Sequence, residues 1–369
     1  MHTISIIVYI LAIYTLISVL NIISVYPGEK MKKLLLASIL VLGFVGASNA
    51  TNSAEKVNVY SYRQPFLIKP LLNEFTKETG IEVNIKFANS GLAEKVEQEG
   101  KYSPADVLLT VDISRLIELV NKDLVQPIDN DIIKKNIPAQ YRDSNDLWFA
   151  LTTRSRVLYS SRERVGRLGE EFDYMDLAKP EWKGRICTRP GKHAYNVSLI
   201  SSIIANHGEA EAKMWLKSVK ANLARKPQGN DRGQVQAISE GLCDISLGNS
   251  YYLGKMLNDN NQKNWANSVY LNYPGQKANG THVNISGMAM AKYAPNKENA
   301  RKLMEFLTSN IAQKMYAEVN FEEPVKSGIK RSDLVASWGQ HTADQLPLTA
   351  IAKNHTKAMK LLDEVEFDL

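Results

Sequence analysis

The sequence predicts an α/β protein of two lobes joined by crossing strands, and three observations carry that prediction. Strand-like and helix-like segments alternate from Val57 to Leu124 and again from Arg185 to Met256, the pattern of mostly parallel sheets flanked by helices. Two β-rich segments, 148–161 and 282–292, are long enough to run from one lobe into another. A chain of 369 residues also has the length for two separate cores.

The chain opens with two segments set apart from that pattern. Met31-Lys32-Lys33, the apolar run Leu34 to Val45 and the small-residue site Ser48-Asn49-Ala50 form a secretory signal peptide, 31–50. Upstream, Thr3 to Gly28 carries no charged residue and is long enough to span a bilayer. An anchor directly before a complete signal peptide is redundant, so Met31 reads as the true start and residues 1–30 as an over-extended reading frame. A genuine N-terminal anchor is the alternative. No cysteine lies near Ala50 to take a lipid.

Val57 to Ser61 alternates as a strand, followed by a helix from Ile68 to Glu78 that ends at Gly80. Ile81 to Phe87 and Ala105 to Thr110 are the next strands, with helices over Gly91 to Gln98 and Ile113 to Leu124. After the first crossing segment a second α/β block begins. The strand around Cys187 leads through Arg189-Pro190-Gly191-Lys192-His193-Ala194-Tyr195 to a helix that Asn196 is expected to cap. Helices are expected over Ala210 to Leu223 and around Gln234 to Ile238, and strands over Cys243 to Leu247 and Val269 to Tyr273. A helical pair at 297–319 and a mostly helical stretch from Ser332 to Leu362 close the chain. The expected division is 51–150 with 285–327 for the first lobe and 151–284 with 328–369 for the second.

Composition narrows the function. There are 45 basic and 39 acidic residues, a formal net charge of +6, interspersed without a polybasic run. Nucleic acid is therefore not an expected partner, and an anionic ligand is only weakly favoured. Two cysteines, Cys187 and Cys243, each sit on a short strand of an exported chain, which suggests one disulfide between neighbouring strands. Two free buried thiols are the alternative. The six histidines are scattered, and no zinc, nucleophile-elbow, P-loop or dinucleotide motif is present. Glu322-Glu323 before Pro324 reads as a solvated turn. The chain reads as a binding protein, not an enzyme.

The stretch Gly248-Asn249-Ser250-Tyr251-Tyr252 stands out. Gly248 and Asn249 are expected to break the preceding strand, and Ser250 to cap a helix continuing through Met256. In the first turn of a helix the two tyrosines lie only about 100° apart, so both hydroxyls can face one small target. A packed core pair is the plain alternative. Tyr195 occupies the equivalent strand-to-helix junction, and open α/β sheets bind ligands at such carboxyl ends. A phenol is a poor metal ligand near its free pKa of about 10. A hard trivalent cation shifts that balance, and three phenolates would balance Fe(III). Arg154 or Arg156, on the crossing strand, could hold a small anion.

From Lys56 to Leu369 the chain resembles the periplasmic ferric-ion-binding proteins, substrate-binding components of iron(III) ABC transporters. The motifs that carry the resemblance are Gly248 to Tyr252, Gly191-Lys192-His193-Ala194-Tyr195-Asn196 and Gly280-Thr281-His282-Val283-Asn284-Ile285-Ser286-Gly287. The resemblance implies a periplasmic monomer with the two-lobed periplasmic binding protein fold, hinged at the crossing strands. It implies iron ligands Tyr195, Tyr251 and Tyr252, a carbonate or bicarbonate held by Arg154, and an inner-membrane permease as partner. Many relatives place His-Tyr in the first loop, where this chain has Gln64 and Pro65. That departure puts a first-lobe ligand in doubt and leaves Tyr62, Arg63, Gln64 and His193 as residues that could support the site by hydrogen bonds. A binding protein for an organic anion, sugar phosphate or polyamine is the runner-up, and a secreted hydrolase the reading from another class.

Overall fold

Strand β1 (Lys56–Ser61) sits between β2 (Glu82–Phe87) and β3 (Val107–Thr110), all parallel. The computed structural model describes residues 55–369. The expected reading-frame extension and signal peptide, residues 1–50, lie outside the described residues. Among the described residues no helix is long and apolar enough to cross a membrane.

Helix Pro65–Thr79 follows β1 and starts earlier than the apolar pattern implied, because Pro65 at its first turn needs no N–H partner. Gly80, at φ 73°, ends it. Helix Ile113–Asn121 follows β3, and the Asp112 carboxylate caps it by accepting from Ser114 N at 2.8 Å.

The long crossing strand β5 (Phe149–Ser161) is buried along its whole length. Its first half pairs antiparallel with β9 (Val283–Ala291), which in turn pairs antiparallel with β3. Its second half pairs antiparallel with β7 (Ile245–Asn249) and β8 (Val269–Asn272). There β6 (Ile186–Cys187) and β7 run parallel, and Ile186 also makes a parallel bridge to Leu223. The crossing strands therefore make the second sheet more antiparallel than the β/α alternation suggested. Short strands β4 (Val125–Gln126) and β10 (Glu323–Pro324) attach to β9 and β5.

Side-chain alternation along β5 divides the second lobe's core. Leu158 points to a cluster with Trp182, Ile200, Trp215 and Leu361, while Val157 and Tyr159 point to another with Cys187, Val235, Tyr251 and Met256. The first lobe has one core, from Val57 to Leu151 and Ile285 to Val325. Ile351 also belongs to it, although it was expected in the second lobe. The reason is that helix Leu348–Lys353 lies between helix Ile113–Asn121 and helix Ala194–His207 and packs on both. The segment 337–347, expected to be mostly helical, is irregular.

Cys187 and Cys243 form a disulfide, with Cα atoms 5.8 Å apart. The Glu322-Glu323 expectation fails. Glu322 is buried at 1 % exposure because Arg63, equally buried, supplies its countercharge. Glu323 is drawn into β10 opposite Thr153.

Candidate metal centre

Two parallel neighbours, β6 and β7, each deliver a helix to the same edge of the second sheet. Helix Ala194–His207 carries Tyr195 in its first turn, and helix Tyr251–Leu257 begins with the tyrosine pair. The Tyr195 and Tyr251 hydroxyls come within 3.4 Å of each other. The Tyr251 and Tyr252 rings lie with centroids 4.3 Å apart at 33°. Tyr251 is fully buried and Tyr252 nearly so.

Local structure at these junctions differs from the sequence expectation in three ways. Gly248 and Asn249 stay within β7 and do not break it. A Cβ at Gly248 would lie 2.2 Å from the Tyr159 ring, so glycine lets that ring cover the strand. Tyr159 then donates to the Asn249 carbonyl at 2.6 Å and fixes where the strand ends. Ser250 has helical φ and ψ and makes no side-chain cap. Asn196 is not the cap of its helix either. His193 is, accepting at Nδ1 from Tyr195 N at 3.2 Å.

Three guanidinium groups surround the Tyr195 ring, those of Arg154, Arg156 and Arg189, with carbons 5.2, 6.0 and 5.0 Å from its centroid. They are not equivalent. Arg156 is spent on protein: Nη1 donates to Asp231 and Asn249, and Nη2 to Asn196 at 2.6 Å. Arg154 uses Nη2 on the carbonyls of Val111 and Ile285, while Nη1 lies 3.4 Å from the Tyr195 hydroxyl. Its Nε is buried without a partner, as is that of Arg156. What separates the two crossing-strand arginines is Nη1, which Arg154 places at the Tyr195 hydroxyl and Arg156 spends on Asp231 and Asn249. Both share one face of β5 because they are two residues apart.

Asp231, which sequence reasoning passed over, organises this cluster. Its carboxylate takes Arg156 at 2.8 Å, Arg189 at 3.1 Å and the backbone N–H of Asn249 at 3.0 Å. Burial pushes its pKa up, but the two guanidiniums outweigh burial and hold it below the usual carboxylate range. The only sequence signal was its place after Asn230, a cap and first-turn acid. Asp368 was also missed. It accepts from the N–H groups of Gly191 and Lys192 and so fixes the loop ahead of His193 and Tyr195.

Burial raises the pKa of Tyr251 well above that of a free phenol, and the neighbouring phenols Tyr195 and Tyr252 add to this. Burial, followed by the charge of Tyr195, raises Tyr252 as well. Both hydroxyls are thus protonated at neutral pH. His193 is half-buried rather than on an exposed loop. Burial, then Arg189, lowers its pKa to about 3, so it caps the helix as a neutral ring, edge-on to Tyr195 at 4.6 Å.

The other candidates stand apart from the phenols. The Tyr62 hydroxyl accepts from Leu92 N at 2.8 Å, and Arg115 covers its ring at 3.8 Å. Arg63, expected beside the anion, pairs through Nη2 with Glu322 and lies over the Tyr316 ring, while its Nε and Nη1 are buried without a partner. Gln64 is the residue before helix Pro65–Thr79 and makes no side-chain cap. Among the described residues no three His, Cys, Asp or Glu side chains cluster as a metal site. Two phenols, Tyr195 and Tyr251, and the Arg154 guanidinium meet at one point, with Tyr252 stacked beside Tyr251.

A two-lobed α/β chain with convergent polar groups beside its crossing strands defines a solute-binding protein. Residues 60–314 match the family model for bacterial extracellular solute-binding proteins, and the chain belongs to that family. Iron uptake protein A1 of Synechocystis is 39% identical over 84% of this chain and 87% of its own length. The apo ferric ion-binding protein A of Pasteurella haemolytica shares 58% identity and a TM-score of 0.84, covering 86% of this chain and 99% of that one. A Trichodesmium protein solved with iron and citrate ligands shares 38% identity and a TM-score of 0.78, over 85% of this chain and 99% of that one.

Proposed function

We propose that the protein captures ferric iron in the periplasm, together with carbonate or a similar small anion, and hands it to the inner-membrane permease of an ABC transporter. Family membership and the iron-binding relatives support the cargo. Tyr195, Tyr251 and Tyr252 supply the phenolate ligands, whose three negative charges balance Fe(III). Hard oxygen donors suit a hard cation. Arg154 holds the anion through the donors that face Tyr195.

One observation carries this reading. Two tyrosines 56 residues apart meet hydroxyl to hydroxyl at 3.4 Å, with a guanidinium nitrogen at the same distance. Two protonated phenols gain little from such a contact in a buried site. A cation that takes their protons gains a preformed pair of oxygens. The electrostatics agree with an added anion, since Arg156 and Arg189 share one buried carboxylate, Asp231.

The test is a visible spectrum of the purified exported protein titrated with ferric citrate. A phenolate-to-iron charge-transfer band that saturates at one iron per chain is the expected result. A colourless protein that retains no iron on gel filtration overturns the reading.

A further inference from the structure

Helix Pro65–Thr79 belongs to the first core through Ile68, Leu71, Leu72 and Phe75. Its two side chains after Pro65 turn instead to the second lobe. Leu67 is buried in the cluster that holds Val157, Tyr251, Tyr252 and Leu253. Phe66 leaves 40 % of its surface exposed. It has two cationic neighbours, both from the second lobe. The Arg232 guanidinium carbon lies 5.8 Å from the ring centroid and the Lys255 ammonium 5.6 Å. Arg232 is also 5.9 Å from the Tyr252 ring, so one cation serves a ring on each lobe.

We infer that Phe66, clasped between Arg232 and Lys255, is the positioning residue by which the first lobe closes over the Tyr251–Tyr252 pair. The inference deepens the iron reading and rests on it for the identity of the cargo. Two cations brought to one rim repel each other unless something negative lies between them, and the face of an aromatic ring does. With the lobes apart, all three groups stand in water and the attraction is lost. Each cation–π contact shifts the ratio of closed to open molecules by about twofold to thirtyfold. The clasp occupies the place next to Gln64 and Pro65, so this chain closes its first lobe with a packing contact at the start of that helix.

Two measurements on the exported protein test this, each on the parent, Phe66→Ala and Phe66→Leu. The first is the radius of gyration of the metal-free protein by small-angle scattering. The second is the rate of iron loss to excess EDTA after loading with ferric citrate, followed by the optical band. Phe66→Ala should be more expanded and release iron about fivefold faster or more, with the circular dichroism of the parent. Phe66→Leu, which keeps apolar bulk without a ring, should follow Phe66→Ala. Parent-like scattering and release in Phe66→Ala overturn the clasp, and parent-like behaviour of Phe66→Leu overturns its cation–π basis. A parent that binds no iron sinks the iron reading alone, and the scattering comparison then decides the clasp.

Discussion

The Asp231 carboxylate accepts the backbone N–H of Asn249 at 3.0 Å, one residue short of the turn that launches Tyr251 and Tyr252. The same carboxylate binds Arg156 and Arg189, two of the three guanidiniums around Tyr195. One buried side chain thus ties the strand end that presents the tyrosine pair to the charges that surround the third tyrosine.

Replacing Asp231 by Asn should therefore damage both stability and the site. It leaves two buried guanidiniums without their countercharge, a loss of about 3–5 kcal/mol for a broken buried pair. Denaturant unfolding of the metal-free variant measures it. The wild-type contribution has a definite pH sense. A carboxylate whose native pKa is depressed stabilises fully above its unfolded value and loses that stabilisation as pH falls through the native one. The gap between variant and parent should begin to close near pH 4, about the unfolded value, and vanish only below the depressed native one, and an equal gap at all pH values would argue against the ion-pair account.

Tyr251→Phe, Tyr252→Phe and Tyr195→Phe each remove one oxygen and little else. Each should weaken or abolish the iron band while circular dichroism stays that of the parent. Full iron affinity in the double variant Tyr251→Phe with Tyr252→Phe would show that the pair serves packing only.

Arg154→Ala should weaken iron capture and blunt its dependence on bicarbonate. The parent should bind iron less tightly in carbonate-free buffer, because three phenolates leave a six-coordinate ion short of oxygens. Equal affinity with and without carbonate in the parent would mean that another group completes the shell.

Iron affinity should fall as pH is lowered. Burial holds Tyr251 and Tyr252 well above the usual phenol pKa, so each gives up a proton when iron binds. Each proton displaced changes apparent affinity by about tenfold per pH unit. Competition with a chelator of known pH dependence reads the slope, and a flat profile between pH 6 and 8 rules out phenolate ligation.

Cys187→Ser with Cys243→Ser opens a loop of sequence separation 56. The chain-entropy model puts the loss at roughly 4 kcal/mol, an upper figure. The midpoint of urea unfolding should drop accordingly, with iron binding retained, since neither sulfur is among the proposed iron ligands.

The elements of the fold were legible because they announce themselves locally. Alternation marked β5 and β9, and the junctions that carry Tyr195 and Tyr251 lie within a few residues of their expected places. The local errors share one cause. Gly248 and Asn196 carry turn and cap chemistry, but partners distant in sequence overrode it: the Tyr159 ring over Gly248, and Arg156 on the Asn196 side chain, which leaves His193 to cap the helix.

By itself, the sequence determined the periodic elements, the cysteine pair and three phenols placed at strand-to-helix junctions. All of these are features of period 2 or 3.6 or of single residue types. Only the tertiary structure decided which arginine meets the Tyr195 hydroxyl, that Asp231 anchors Asn249, that Glu322 is buried against Arg63, and that Phe66 meets Arg232 and Lys255. Those outcomes depend on strand register and on charges that pair across 18 to 259 residues of chain. A buried charge must find its partner wherever packing brings one, and no local pattern records where that will be.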